Sequence, residues 1–442
     1  MICEDNLLTA TNQLNSCYTE STSKRGEINT PRLFPMLKKI DSSQLRVGMA
    51  IHDLDCGWME HPFVRNRFVL SSEDEIRKIL NAGIRGVVID CGKGLDLIDA
   101  PTVEEADAVV EAEVTAIAAR PVAPLRATLA EEFDRAVAIR RQAAGLVRTV
   151  MQDARLGKAV EVDKVSPVVE SITASILRNA SALLGLSYIK NKDDYTFLHS
   201  VSVCTLLVAF CRSRKMDDDT IYQAGIGGLL HDTGKALVPD HILNKPGRLT
   251  DEEFEVVRRH PRDGYEILRR SPEIGPIPLD ITLHHHERRD GTGYPDRQGA
   301  GQISELAQMA AIVDVYDAIT ADRCYHKGMP AAEALRKMYE WSKFHFDPTL
   351  TQEFMRCVGI YPVGTLVLLE SGRLGVVVEP HETSLLTPKV NVFFSTKSQI
   401  YIKPETVDLS RGLGFGGGDK IVRHESPEKW KVDPLRFMAL AA

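Results

Sequence analysis

Disulfide spacing is missing from this chain. Its eight cysteines, at positions 3, 17, 56, 91, 204, 211, 324 and 357, include no Cys-x-x-Cys pair and no framework spacing, which fits a reduced cytosol. Also missing is any apolar run that approaches a membrane span. The first forty residues are polar with scattered charge, unlike a secretion signal. A cytoplasmic protein with no membrane span is therefore expected. There is no excess of positive charge: 54 Lys and Arg against 61 Asp and Glu leave a formal net charge of −7, which argues against a nucleic-acid polymer as partner. It says nothing against a small phosphate ester, whose binding depends only on local charge. The glycine-rich stretch 412–418 lacks a Lys-Ser/Thr in the register of a phosphate loop and reads as a flexible linker.

What is present fills two to four units, given 442 residues. Residues 1–32, rich in Ser, Thr and Asn and without periodicity, read as a disordered tail. Residues 33–100 read as a small N-terminal α+β domain. There 44–53 is strand-like, and 68–70 leads into Ser72-Glu73-Asp74-Glu75. That spacing is a capping box, in which Ser72 accepts from the Glu75 backbone and Glu75 reaches back. Its helix runs to Gly83, and 86–90 is a buried strand. His52, Asp55 and His61 read as scattered surface residues. Residues 101–152 read as a helical linker interrupted at Pro121 and Pro124. Leu125, Leu129, Phe133, Val137, Leu146 and Val150 form its apolar stripe, which suits a connector packed on its neighbour or a homodimer seam.

Residues 153–361 carry helical apolar spacing in 172–186, 196–211, 219–230, 251–270, 303–321 and 331–339. Thr250 suits an N-cap and Pro330 an N1 position. An all-α bundle of this kind can point side chains at one centre. After Tyr361-Pro362 the pattern changes to short β-branched or aromatic runs at 365–369, 374–379, 389–394 and 400–403. Residues 362–442 thus read as a β-rich module, a small barrel or meander.

Eight of the thirteen histidines fall between His199 and His326, crowding that metal chemistry explains more readily than packing. Alone, His199 reads as a hydrogen-bonded core histidine. His231-Asp232 follows Ala224-Gly225-Ile226-Gly227-Gly228, whose small residues let another helix come close. His260-Pro261 follows a charged helix, and His284-His285-His286-Glu287 closes an apolar segment. Asp314 sits among Ile312, Val313 and Val315, where an unpaired carboxylate is costly and a cation removes the cost. Imidazoles with carboxylates suit iron, manganese, nickel or zinc, and the two oxygens of Asp232 can bridge two ions. The residues group as His199, His231, Asp232 and Asp314 at one metal, and Asp232, His260, His285 and His286 at a second. Paired ions lower the pKa of a bridging water to about 7 and clamp the reacting oxygens of a phosphodiester. Lys235, one turn beyond His231, can meet a phosphate oxygen, and Lys235 or a metal can stabilise the leaving alkoxide.

At these residues the chain resembles a family. His231-Asp232-Thr233-Gly234-Lys235, continuing as Ala236-Leu237-Val238-Pro239-Asp240 and Lys245-Pro246-Gly247, is similar to the HD superfamily of metal-dependent phosphohydrolases. His285-His286-Glu287-Arg288-Arg289-Asp290-Gly291-Thr292-Gly293-Tyr294-Pro295 resembles the signature of its HD-GYP branch. Asp314-Val315-Tyr316-Asp317-Ala318 and Arg323-Cys324-Tyr325 follow in that family's order. The resemblance spans 153–360, and 33–100 resembles the small domain often found ahead of HD-GYP. It implies a multidomain chain with an all-α HD-type helical bundle as catalytic core, flanked by a small α+β domain and a small β domain.

The implied activity is a bacterial signalling phosphodiesterase that hydrolyses cyclic di-GMP to pGpG and often GMP. Two divalent ions are expected, iron or manganese foremost, with nickel or zinc as alternatives. The family's histidine pair aligns with His285 and His286, leaving His284 outside. Lys235 and Arg323 would hold phosphate. Gly293-Tyr294-Pro295 would shape a loop beside the pocket, with Tyr294 at the substrate, and such loops are sometimes linked to contacts with diguanylate cyclase (GGDEF-type) domains.

Three positions depart from the family pattern. Tyr195 stands where some members carry a glutamate that helps hold a third metal, so two metals are predicted. The basic position common after Arg323-x-Tyr325 holds His326, with Lys327 adjacent for the distal phosphate. Arg289 replaces a usual aromatic in the loop. Two other readings stand beside the phosphodiesterase: an HD-type hydrolase of another cyclic dinucleotide or nucleotide, and a non-catalytic cyclic di-GMP receptor or adaptor. A degenerate ligand set would favour the receptor, and this sequence has none.

Overall fold

The computed structural model describes residues 36–55, 67–118, 127–188, 195–245, 247, 249–321, 328–381, 384–411 and 418–441. The expected tail, His61, Pro121, Pro124, Leu125, Arg323, His326 and Lys327 lie outside the described residues, as do 412–417 and the side chain of Tyr195.

The N-terminal sheet pairs four strands in the order β1 (Leu37–Asp41), β4 (Gly86–Asp90), β2 (Ala50–Leu54), β3 (Phe68–Val69), all antiparallel. Helix α1 (Glu73–Asn81) lays Ile76 and Ile79 onto Ile40, Ile51, Val87 and Ile89, giving this sheet a core of its own. Ser72 caps α1 by accepting from the Glu75 amide, as its spacing predicts. The Glu75 carboxylate, however, takes the amide of Ser71 at 2.7 Å instead of that of Ser72. The strand expected over 44–53 begins only at Ala50. Ser42–Gln44 is a 3-10 turn capped by Asp41, and Gly48, at φ +96°, breaks the extended run.

The linker is α2 (Val103–Ala118) and α3 (Leu129–Arg155). Helix α3 opens on a Thr128/Glu131 capping box and packs on α4 (Val162–Tyr188) and α5 (Tyr195–Ser213). Its buried line is Leu129, Phe133, Ala136, Ala143, Val147, Val150 and Ala154, while Val137 of the expected stripe is 44% exposed. Leu129, Phe133 and Val150 of the expected stripe are on this buried line, packed on the neighbouring helices as a connector would be.

The rest of the bundle is α6 (Asp218–Leu230), α7 (Asp240–Leu243), α8 (Asp251–Val257), α9 (His260–Leu268), α10 (Pro276–His284), α11 (Glu305–Thr320), α12 (Ala331–Trp341) and α13 (Pro348–Val358). Neighbours crowd α6 on three sides through its glycines. A Cβ at Gly225 would lie 2.6 Å from Val169, one at Gly227 2.7 Å from Ile281, and one at Gly228 3.0 Å from the Cys204 Cα. The single helix predicted over 251–270 is two. The ladder stops at Arg258 and restarts at His260, with Pro261, which has no amide to donate, in the first turn of α9. Pro330 is the N-cap of α12, not its first helical residue.

After α13 comes a five-stranded antiparallel sheet in the order β8 (Ile400–Asp408), β7 (Lys389–Ser395), β6 (Arg373–Glu379), β5 (Leu366–Leu369), β9 (Ile421–His424). The expected meander is β5 to β8; β9, α14 (Pro427–Trp430) and α15 (Pro434–Ala441) are additions to it. Phe437 of α15 stacks on Phe393 of β7 at 3.6 Å. Leu366, Val376, Val390 and Met438 belong to the same continuous core as the bundle. The architecture is thus a helical core with a small α/β domain before it and a β-sheet region after it. Among the described residues, no helix is long and apolar enough to cross a membrane.

Candidate metal centre

Five bundle segments converge on one buried point. Helix α5 contributes His199, α6 runs out into His231 and Asp232, α9 begins with His260, α10 hands on to His285 and His286, and α11 carries Asp314. The turn after Asp232, Thr233–Leu237, is a 3-10 helix backed against α9. A Cβ at Gly234 would fall 2.0 Å from the His260 carbonyl oxygen, so a larger residue there would push His260 away from Asp232.

All seven proposed ligands meet here. The Asp232 Oδ2 lies 3.3 Å from His231 Nε2 and 3.6 Å from His199 Nε2. Its other oxygen, Oδ1, lies 3.2 Å from His260 Nε2 and 3.9 Å from His285 Nε2. Asp314 Oδ1 is 3.0 Å from His199 Nε2, and its Oδ2 is 3.9 Å from His286 Nδ1. Three trios, His199-His231-Asp314, His231-Asp232-His285 and His260-His285-His286, each bring their ligand atoms within 4.8 Å of one another.

The rings are aimed from behind. The Nδ1–H groups of His231, His260 and His285 donate to the carbonyls of Gly228, Val257 and Thr282, at 2.8, 2.8 and 2.9 Å. Each acceptor lies three residues earlier in the chain. His199 Nδ1 instead meets the Asp317 carboxylate at 2.7 Å. In all four rings Nε2 is left to face the centre, the arrangement by which outer partners orient metal-binding imidazoles. Sequence reasoning gave Asp317 no role, although it sits one turn beyond Asp314 on α11, where i and i+3 share a face.

Electrostatics sorts the site into anions and neutral donors. Burial would raise the Asp232 carboxyl, but the positive charge of His231 and Lys235 outweighs it and holds the group well below its usual range. For Asp314, burial is likewise outweighed, here by the hydrogen bond and charge of His199. Burial, reinforced by His231 and His260, drives His285 down to about 3. Burial also lowers His260 and His286. His199 goes the other way: burial lowers it, yet Asp314 and Asp317 together raise it. Two ionised carboxylates beside His260, His285 and His286, all three lowered by burial, are a donor set for divalent cations. The His231 Nε2 and Asp232 Oδ1 atoms are buried with no hydrogen-bond partner, a costly state for polar atoms that coordination by cations would relieve. The residues fit a metal.

The signature loop closes over this centre. The Tyr294 ring stacks on His286 at 4.7 Å and 26°, and the Arg258 guanidinium carbon lies 4.9 Å from the Tyr294 ring centroid. The Tyr294 amide donates to the His286 carbonyl at 3.1 Å. Glu287, buried, accepts from the amides of Asp296 at 2.6 Å and Gln298 at 3.0 Å, clasping the loop's far end. Lys235 Nζ sits 2.5 Å from Asp232 Oδ2, beside the centre. His284 stands apart, bound to Asp280 at 2.7 Å and Gln298 at 3.0 Å. Arg323 and Lys327 lie outside the described residues.

A family model described as an HD domain matches residues 186–350, and one described as a domain of unknown function (DUF3391) matches 37–165. The chain is 47% identical over 410 residues, 91% of its own length and 95% of the relative's, to a cyclic di-GMP phosphodiesterase of Pseudomonas aeruginosa. It is 40% identical over 131 residues, 29% of this chain and 34% of the relative, to a cyclic di-GMP phosphodiesterase response regulator of Xanthomonas campestris. A cyclic di-GMP phosphodiesterase of Thermotoga maritima is 34% identical over 166 residues, 37% of this chain and 45% of the relative.

Proposed function

The chain belongs to the HD-GYP family of metal-dependent cyclic di-GMP phosphodiesterases, and we propose that Asp232 is the ligand its two cations share. The observation that carries this is the division of labour within one carboxylate. Oδ2 faces His231 and His199, and Oδ1 faces His260 and His285. His199, His231, Asp232 and Asp314 would hold one cation, and Asp232, His260, His285 and His286 the other. Nitrogen and oxygen donors of this kind suit iron or manganese. Bound there, the pair would supply Lewis-acid charge to the phosphodiester and acidify a water held between them.

The remaining residues bind and orient. Lys235, whose Nζ borders the carboxylate edge of the centre, would neutralise a phosphate oxygen of the substrate and support the departing alkoxide. Arg323 and Lys327 are proposed, from their place in the sequence, to hold the phosphates. Tyr294 would wall the pocket with a flat aromatic face for the nucleotide. A cytoplasmic setting belongs to the same reading, since Cys91, Cys204, Cys211 and Cys357 are free thiols and thiols persist in a reducing compartment.

The test is hydrolysis of cyclic di-GMP by protein purified without oxygen and loaded with iron or manganese, with nucleotides separated by chromatography and metal counted by mass spectrometry. Wild type should give pGpG, and GMP on longer incubation. Asp232→Ala should lose bound metal and more than about a hundredfold of activity, because outer partners of a metal site alone are worth 10–100-fold. Full metal content and turnover in that variant would remove Asp232 from the centre. Faster turnover of another cyclic dinucleotide in direct competition would replace the substrate and leave the centre standing.

A further inference from the structure

The loop over the metal centre is held by three parts of the chain. One is Glu287, described above. The second is the segment after α12, where the Arg289 amide donates to the His345 carbonyl at 3.1 Å. The third lies in the N-terminal domain, just after α1. Gly83 has φ +73°, a left-handed turn that ends the helix, and it presses on the loop: a Cβ there would lie 2.8 Å from both Cβ and Oγ1 of Thr292. Arg85 Nε reaches Asp290 Oδ2 at 3.4 Å. The buried His345 Nε2 donates to the Gly83 carbonyl at 3.3 Å and lies 4.0 Å from the same Asp290 oxygen.

Asp290 and Thr292 are themselves locked together. Asp290 Oδ1 accepts from the Thr292 amide at 3.0 Å and its hydroxyl at 2.6 Å. Two residues further on, Tyr294 lies stacked on His286. We propose that Gly83 and Arg85 of the N-terminal domain are positioning residues for cyclic di-GMP hydrolysis, acting through Asp290 and Thr292 to set Tyr294 over the metal centre.

Two further ion pairs give this contact its leverage. Lys39 binds Glu340 on α12, and Asp55, itself 2.7 Å from Lys39, faces Lys337 of α12 at 3.8 Å. The N-terminal sheet is thereby seated on α12 as a body. Any tilt of that body carries Gly83 against Thr292, because close-packed groups pass on a displacement instead of absorbing it. What the loop does for the substrate rests on the phosphodiesterase reading; that the N-terminal domain holds the loop does not.

The experiment uses the full chain, metal-loaded, with hydrogen exchange of the peptide covering 288–298 measured beside kinetics on cyclic di-GMP. Arg85→Glu sets like charge against Asp290. It should speed exchange in that peptide and raise KM roughly three- to tenfold, the scale of a partly exposed ion pair turned repulsive, with kcat and metal content held. Arg85→Lys should restore KM to within about twofold of wild type. Gly83→Ala, which crowds Thr292 without touching charge, should disturb the same peptide. Unchanged exchange in 288–298 for both Arg85→Glu and Gly83→Ala overturns the proposal, as does a KM for Arg85→Glu that matches wild type. A wild type inert toward cyclic di-GMP would strike the functional reading, and the exchange result would still decide whether the domain holds the loop.

Discussion

Asp232 presents its two oxygens to different neighbours, and those neighbours are the anchored rings. The His199 ring is the exception among them, since a carboxylate and not a carbonyl fixes it. Asp317→Ala should therefore weaken metal binding by roughly 10–100-fold, measured by titration of the metal-free protein. Asp317→Asn, which keeps an acceptor for Nδ1–H, should lose less. Equal affinity in all three proteins would mean that packing alone orients His199. The seven residues that meet at the centre were legible in the sequence because histidine and buried aspartate are conspicuous in an apolar helical context. The carbonyls of Gly228, Val257 and Thr282 were not, because a main-chain acceptor leaves no mark on residue type. Asp317 stood in plain view and was passed over, since one carboxylate three residues from another reads equally as a solvated helix face.

At the scale of elements, the break between α8 and α9 does what a continuous helix could not. It turns His260 toward Asp232 at the first residue of a new helix. Apolar periodicity runs straight through 251–270 and hides that break, with Pro261 as a warning. Capping signals were read more faithfully: Thr250 caps α8 and accepts from Glu253, as the spacing required. Helices α10 and α13, which open on Pro276 and Pro348, are absent from the helical spacings read in the sequence, although proline in a first turn starts a helix well. The loop between α10 and α11 depends on one side chain. Glu287→Ala would leave the amides of Asp296 and Gln298 without their acceptor, at a cost of roughly 1–3 kcal/mol for each group that stays buried. Thermal unfolding should shift down, and KM for cyclic di-GMP should rise with metal content preserved. An unchanged KM would show that the loop keeps its shape without the clasp.

For the molecule as a whole, the same buried imidazoles make stability depend on pH. His285 titrates near 3 when folded, against an ordinary value of about 6.5 when unfolded. Between those values only the unfolded chain takes up the proton, so the contribution is complete above about pH 6.5 and drains away as pH falls. His260 and His286 act in the same direction, while His199 and His284, both raised, act in the opposite one. Urea unfolding of metal-stripped wild type and His285→Gln at pH 7, 6 and 5 isolates one group. The variant's stability should fall less steeply, by up to about 1.4 kcal/mol per pH unit; parallel lines would mean His285 is not held neutral. The two ends of the chain differ more deeply than their similar size suggests. The front sheet keeps its own core and meets the bundle through the ion pairs of Lys39, Asp55 and Arg85 and the close contact of Gly83 with Thr292 and His345, whereas the rear sheet is continuous with the bundle's apolar interior. A joint made of a few ion pairs and one close contact can be rewritten by one or two codons. A joint made of oil cannot, so the front of this protein is an attachment and the rear is part of the chassis.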